Sequence, residues 1–315
     1  MQVPDFLFAG FDFPACLCYS EMVFAYSPLE VVGLTFLDWL KIVFLGIVEG
    51  ITEWLPISST GHLILVDALW KSDNAVLTEQ FMEMFTVVIQ FGAILAVVVL
   101  YFGRLWPFAL REERRRTGRI VKQDRILLWL KIAVSCVPAI LVGLPLDDWL
   151  DAHLYNPLTV SVTLIVYGIG FLLAERRNRS RRPRIDKLDS LTWSDALLIG
   201  VFQVLALIPG TSRSGATILG GILIGLSRET AAEYTFFLAI PVMFGASLLK
   251  LVKFGFAFTN LQLAALLLGM AVSFVVSVLA IRFLMGYLKK HDFTAFGWYR
   301  IALGIPVLLL ALLNG

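Results

Sequence analysis

The chain has 315 residues, 58% of them hydrophobic and only 16% charged, with a formal net charge of +2. A soluble domain of this length cannot hide so much apolar surface, so composition excludes a soluble enzyme and places the chain among integral membrane proteins. A net charge this small carries little information by itself, whereas its distribution along the chain carries a great deal.

The N-terminal stretch has no Lys or Arg before Lys41, yet it holds Asp5, Asp12, Glu21, Glu30 and Asp38. A secretory signal needs a basic n-region, so residues 1–33 read instead as an extension ahead of a single membrane domain, 34–315. A translation start at Met22 is the alternative, which mass spectrometry of the native N-terminus decides. The three cysteines, Cys16, Cys18 and Cys136, form neither a disulfide framework nor a zinc site. Cys16 and Cys18 are also too close for a CxxC motif.

An apolar segment at 36–69 follows, broken in its middle by Pro56, Ser58, Ser59, Thr60 and Gly61. Three runs come next, 84–102, 126–144 and 158–174, each close to the ~20 residues a bilayer requires. A second broken segment, 194–226, is interrupted at Pro209 and Gly210. Runs at 234–252, 261–285 and 297–313 complete the chain.

Charge sets the expected orientation. The connection from Arg104 to Arg125 carries Arg111, Arg114, Arg115, Arg116, Arg119 and Lys122, and the one after Glu175 carries Arg176, Arg177, Arg179, Arg181, Arg182, Arg184 and Lys187. Both belong in the cytoplasm, as do Lys289, Lys290 and His291. These runs read as solvated faces, so nucleic acid is not an expected partner. Pro145–Pro157, with Asp147, Asp148 and Asp151 and no Lys or Arg, reads as an outer loop. On this count each broken segment starts and ends on one face, making it re-entrant, and the odd number of spans between them inverts the second half. The expected fold is all-α and integral to the membrane. It is an inverted-topology repeat of about 36–174 and 194–313, with six transmembrane helices and two re-entrant helix-loop-helix hairpins. Both termini and the opening of the site fall on the outer side.

A repeat register runs through the breaks. Gly46 to Gly61 spans the same interval as Gly200 to Gly215, which pairs Glu49 with Gln203, Ser58 with Ser212, Ser59 with Arg213 and Thr60 with Ser214. The breaks also concentrate chemistry. Glu49 and Glu53 share one face of a helix that Pro56 must end. His62 opens the next half-helix, whose free N–H groups favour phosphate, and Arg213 adds a bidentate fork for phosphate oxygens. Glu49, Glu53 and Arg213 would together cost roughly 8–10 kcal/mol if held idle in a bilayer, even on a lenient insertion scale. Two acids, an imidazole, a guanidinium and a cluster of hydroxyls fit phosphoryl chemistry. A carboxylate pair can hold a divalent cation, and a Ser beside His or Glu can act as nucleophile. No Walker A lysine is present. Asp147-Asp148-Trp149-Leu150-Asp151 has the DDxxD form of a diphosphate–Mg²⁺ site, but it has no second copy and reads as a topology signal. Glu83 and Glu233 read as interfacial residues near span ends, and Gln90 as a packing hydrogen bond.

Glu49-Gly50-Ile51-Thr52-Glu53, Pro56-Ile57-Ser58-Ser59-Thr60-Gly61-His62 and Pro209-Gly210-Thr211-Ser212-Arg213-Ser214-Gly215-Ala216-Thr217 closely resemble the signature motifs of the bacterial undecaprenyl-diphosphate phosphatases, also called bacitracin-resistance proteins. The similarity runs from about Leu34 to the C-terminus, includes the Phe85–Gly92 stretch and leaves residues 1–33 outside. The resemblance implies a hydrolase of the cytoplasmic (inner) membrane that removes the terminal phosphate of a C55 polyprenyl diphosphate and recycles the lipid carrier for peptidoglycan. It implies a catalytic set of Glu49, Glu53, Ser59, His62 and Arg213, with Ser58, Thr60, Gly61, Ser212, Ser214, Gly215 and Thr217 around the substrate. Glu49 and Glu53 would hold Mg²⁺ or Ca²⁺ or act as base, and Arg213 would clamp the diphosphate. Ser59 is the expected nucleophile with His62 as base or proton donor; a phosphohistidine at His62 is the competitor. The other membrane phosphatase family, with its KxxxxxxRP, PSGH and SRxxxxxHxxxD boxes, is not matched. A transporter or flippase for polyprenyl phosphate is the alternative function, because inverted repeats commonly serve alternating access. Oligomeric state stays open at this stage, a homodimer included.

Overall fold

The computed structural model describes residues 33–70, 74–109 and 120–314, within one compact unit, Gly33–Gly315. Residues 1–32, Lys71–Asp73 and Leu110–Arg119 lie outside it, and with them the expected N-terminal extension, Cys16, Cys18 and Arg111, Arg114, Arg115, Arg116 and Arg119. The described chain is helical and contains no strand. The helices are α1 (Phe36–Thr52), α2 (Ser59–Leu69), α3 (Glu79–Val88), α4 (Gln90–Leu100), α5 (Phe102–Leu105), α6 (Gln123–Leu154), α7 (Pro157–Asn178), α8 (Trp193–Val204), α9 (Arg213–Leu223), α10 (Arg228–Phe254), α11 (Asn260–Leu288) and α12 (Thr294–Asn314). Six of these stretches are long and apolar enough to cross a membrane: α3 with α4, most of α6, then α7, α10, α11 and α12.

The starts of these helices are written in side chains. Thr35 with Asp38, Thr192 with Asp195 and Thr259 with Gln262 form capping boxes at α1, α8 and α11. Ser58, Thr78, Asn156, Ser212 and Ser227 cap α2, α3, α7, α9 and α10. Each satisfies an N–H that would otherwise be orphaned at a helix start.

Both interrupted helices return to the end from which they set out. Asn74, beyond α2, donates to the Gly33 carbonyl at 3.1 Å and to Asp38 at 2.7 Å, while Lys41 donates to the Trp70 carbonyl at 2.8 Å. The start of α11 lies at this same end, because Gln262 donates to the Val76 carbonyl at 3.1 Å. At the feet of the second hairpin, Arg184 and Ile185 donate their N–H groups to the Gly225 carbonyl at 2.8 and 3.1 Å, and Arg184 also pairs with Asp195. Leu288, which closes α11, shares a cavity there with Ile222–Glu229. The feet of the two broken segments therefore lie at opposite ends of α11.

Packing repeats with the halves exchanged. The first half-helix α1 lies along α11 and its counterpart α8 lies along α6, while α7 and α12 pack on each other. The register glycines make both approaches close. A Cβ on Gly46 would sit 2.9 Å from the Gly269 carbonyl oxygen of α11, and one on Gly200 would sit 2.5 Å from the Ser135 carbonyl oxygen of α6.

The basic connections gather at the end where α11 finishes. One cavity of about 560 Å³ is lined by Arg181, Arg182, Arg184 and Arg228. Another of about 600 Å³ is lined by Arg104, Arg125, Lys187 and Lys289, and both include Asp186 and Glu229. Glu233 pairs with Arg104 at this end and Glu83 with Lys250 elsewhere, so neither acid meets the polar loops.

One expectation needs correction. The stretch from Pro145 to Pro157 is not a loop, because α6 continues through Pro138 and Pro145 to Leu154. A proline removes a single ladder hydrogen bond, which a long apolar helix tolerates. The acidic Asp147–Asp151 stretch therefore lies in the last turns of a helix, and the side chains of Asp147, Asp148 and Asp151 are outside those described. The first span likewise begins earlier than expected, at Glu79, with a one-residue break at Ile89.

Candidate active site

The first polar loop is built by ending α1 at Thr52. Glu53 is its C-cap, still in helical conformation and donating its N–H to the Glu49 carbonyl at 3.1 Å. The two carboxylates consequently lie one turn apart on one face, as their spacing predicts. Pro56 prevents the helix from continuing. The chain then turns through Ser58, which holds φ +73°, and its hydroxyl accepts from the Gly61 N–H at 3.5 Å to start α2.

The second loop repeats this device. The first half-helix, α8, ends at Val204, a 3-10 turn at Leu205–Leu207 follows, and Pro209 and Gly210 then turn the chain, Gly210 taking φ +86° and Ser212 φ +67°. The Ser212 hydroxyl accepts from the Gly215 N–H at 3.3 Å to start α9. Ser58 and Ser212 are the only non-glycine residues with positive φ among the described residues, and they are partners in the repeat register. Such a conformation costs a non-glycine residue of order 1–3 kcal/mol and is kept only where surrounding structure imposes it.

The two loops meet. Arg213 donates from Nη2 to Glu53 Oε1 at 2.8 Å and from Nε at 3.3 Å, and its Nη1 donates to the Thr235 carbonyl at 2.9 Å. The pair is almost dry, with side chains 11% and 9% exposed. Glu49 is buried beside it, subject to the charges of Glu53 and Arg213 and to the amide of Gln90. Behind Arg213, Thr217 donates to its carbonyl at 2.9 Å and receives a bond from Thr235 at 2.9 Å. Ser214 lies 3.1 Å from the Ser212 hydroxyl.

His62 is held at both ring nitrogens. Its Nδ1 lies 2.7 Å from the Ser58 carbonyl oxygen and its Nε2 lies 2.8 Å from the Tyr299 hydroxyl. Neither ring nitrogen bonds to the Ser59 hydroxyl. The Ser59 and Thr60 hydroxyls, at the start of α2, bond to no described residue and are half-buried. The remaining loop serines are already committed to caps or to each other.

Two residues on α12 stand out beyond the expected set. Arg300 is fully buried and donates to the Pro56 carbonyl at 3.2 Å, the Gly210 carbonyl at 2.8 Å and the Thr211 carbonyl at 2.9 Å. Pro56 and Gly210 are partners in the repeat register, so one guanidinium ties equivalent carbonyls of both loops. Tyr299, its neighbour, holds His62. The only sequence signal for either was a charged residue inside an otherwise apolar span, which by default marks function.

The carboxylates fit a divalent cation as one edge of its shell. Glu49 Oε1 is buried with no hydrogen-bond partner, an uncompensated acceptor that a hard cation would satisfy. Among the described residues no group of three or more His, Cys, Asp or Glu side chains is arranged to hold a metal. The remaining ligands would have to be water or substrate oxygens.

Comparison with known proteins gives one consistent result. The family model of the bacitracin resistance protein BacA matches residues 42–306. An undecaprenyl-diphosphatase of Enterococcus faecalis is 56% identical over 278 residues, covering 88% of this chain and 99% of the relative. Proteins of the same name from Acetivibrio thermocellus and Desulfitobacterium hafniense are each 59% identical, over 87% and 85% of this chain and 97% and 94% of their own lengths.

Proposed function

The chain belongs to the bacitracin resistance protein BacA family, and from that premise we propose how its two loops divide the chemistry. The protein is a multi-pass bacterial membrane hydrolase. It converts undecaprenyl diphosphate into undecaprenyl phosphate and inorganic phosphate, returning the lipid carrier to cell-wall synthesis. The polyprenyl-phosphate transporter reading is not favoured, since the relatives are named for hydrolysis.

The observation that carries the proposed site is the Glu53–Arg213 bond between the two loops. A diphosphate delivered there meets the guanidinium fork and the N-termini of α2 and α9, while its lipid tail stays in the bilayer. Ser59 is the proposed nucleophile, supported by its half-buried position, next to the Ser58 cap, with a hydroxyl that bonds to no described residue. Its oxygen attacks the terminal phosphorus, and the bond from that phosphorus to the bridging oxygen breaks. Undecaprenyl phosphate leaves, and the serine proton passes to a neighbouring base, Glu49 or His62. Water then attacks the phosphoserine, releasing inorganic phosphate and restoring Ser59. Glu49 and Glu53 are the residues that would hold Mg²⁺ or Ca²⁺, which when bound offsets the charge of the diphosphate. Arg213 steadies the same charge as it builds on the transferring group. Ser58, Thr60, Gly61, Ser212, Ser214, Gly215 and Thr217 shape the cradle around it.

Each hairpin dips into the membrane and returns, one from each face. Its feet being hydrogen-bonded at one end supports this reading. The basic end is cytoplasmic by the positive-inside rule, which leaves both termini and the mouth of the site on the outer face. Phosphate release from undecaprenyl diphosphate by the purified protein in detergent, with and without chelator, tests the reading. Release that stops with chelator supports it, and absence of release under both conditions contradicts it. Trapped phosphoenzyme tests the nucleophile: an acid-stable label supports Ser59 and an acid-labile one moves the role to His62.

A further inference from the structure

We infer that Tyr299 is a positioning residue for His62, holding the imidazole as the Nδ1–H tautomer so that Nε2 is its one basic nitrogen. This rests on the reading that His62 serves the reaction and goes beyond it by naming the tautomer and the residue that sets it. The assignment follows from what each neighbour can do. The Ser58 carbonyl oxygen, 2.7 Å from Nδ1, accepts hydrogen bonds and cannot donate, so Nδ1 carries the proton. The Tyr299 hydroxyl, 2.8 Å from Nε2, can donate, and a neutral ring accepts there. The two rings are stacked, 5.7 Å between centroids and 13° between planes, so both the ring plane and its polar edges are fixed.

Both partners are placed by the backbone of the loops and of α12. Ser58 is fully buried, held at φ +73° and engaged in the cap of α2, so the direction of its carbonyl is set by the loop backbone. Tyr299 precedes Arg300, whose guanidinium grips Pro56, Gly210 and Thr211. The turn of α12 that anchors both loops thus also sets where the tyrosine hydroxyl meets the imidazole. A proton leaving the reaction centre for His62 must arrive at Nε2, on the Tyr299 side of the ring. The Nδ1 side is closed by Ser58.

Tyr299→Phe keeps the stacked ring and removes only the hydroxyl. In the full-length protein in detergent, kcat should fall at least about tenfold with KM within about twofold, because no substrate contact is lost. In a His62→Ala background the same substitution should change turnover less than about twofold, since the residue it acts through is gone. Nitrogen-15 spectra of histidine-labelled protein give a readout that a purely structural role would not move. The signals missing in His62→Ala identify the ring, and wild type should show a protonated Nδ1 with an unprotonated Nε2. Tyr299→Phe should shift the Nε2 signal. A wild-type Nε2–H tautomer overturns the inference, as does a Tyr299→Phe protein with normal kcat where His62→Ala is inactive. Normal turnover by His62→Ala would instead remove the underlying reading of His62, while the spectra alone still decide the tautomer.

Discussion

The two loops are the same backbone carrying different chemistry. Each ends its first half-helix four or five residues before a proline, turns through a serine of positive φ, Ser58 or Ser212, and starts its second half-helix by capping the N–H of Gly61 or Gly215. Each also gives a register-equivalent carbonyl, Pro56 or Gly210, to Arg300. Yet the first helical position is Ser59 on one side and Arg213 on the other, and Glu49 faces Gln203 in the register. The two loops thus share what the backbone needs, namely a sharp turn with paired polar groups inside an apolar protein. The side chains differ, with two acids and Ser59 on one side and a guanidinium on the other.

The comparison predicts that side-chain changes at equivalent positions act very differently, whereas backbone changes act alike. Arg213→Ser, which gives the second loop the residue of the first, should lower phosphate release at least about a thousandfold. It should also lower stability by about 3–5 kcal/mol, because Glu53 is left buried without its partner. Thermal unfolding in detergent separates the two losses. Arg213→Lys keeps the charge but loses the fork, and about a hundredfold loss of release is expected. Gly210→Ala should cost about 2–4 kcal/mol of stability. Its Cβ would meet the Thr163 hydroxyl at 2.2 Å and the Val160 carbonyl at 2.7 Å, at a φ of +86°. The smallest effect is expected from Ser58→Gly and Ser212→Gly. Each loses a cap worth a few tenths of a kcal/mol over glycine but relieves the positive φ, so unfolding should shift by less than about 1 kcal/mol and equally on both sides. Unequal shifts would break the backbone equivalence.

Much of this was legible in the chain itself. The breaks at Pro56 and Pro209-Gly210, the shared Gly46–Gly61 and Gly200–Gly215 interval and the clustered arginines carry the helix interruptions, the repeat register and the basic end. These features are local, or depend only on counting. The parts that were not legible depend on contacts across the fold. Tyr299 and Arg300 sit in an apolar span, 237 and 244 residues from His62 and Pro56, which they hold. Gln90 reads as a packing amide until Glu49 is placed beside it. Spacing brings Ser59 and His62 to one face of a helix, three residues apart, without dictating which carbonyl or hydroxyl the imidazole meets. The continuation of α6 past Pro145 was not legible because proline followed by aspartates mimics a turn, whereas a single proline costs the helix only one ladder hydrogen bond.

The central claim is that loops from the two halves make one diphosphate site, joined at Glu53 and Arg213. A double-substitution cycle measured by phosphate release from undecaprenyl diphosphate tests it most directly. If the two residues act as a unit, Glu53→Gln and Arg213→Lys should each cut turnover, and the protein carrying both should be no slower than the slower of the two. Losses that multiply in the double variant would mean the two loops act independently and would contradict a shared site.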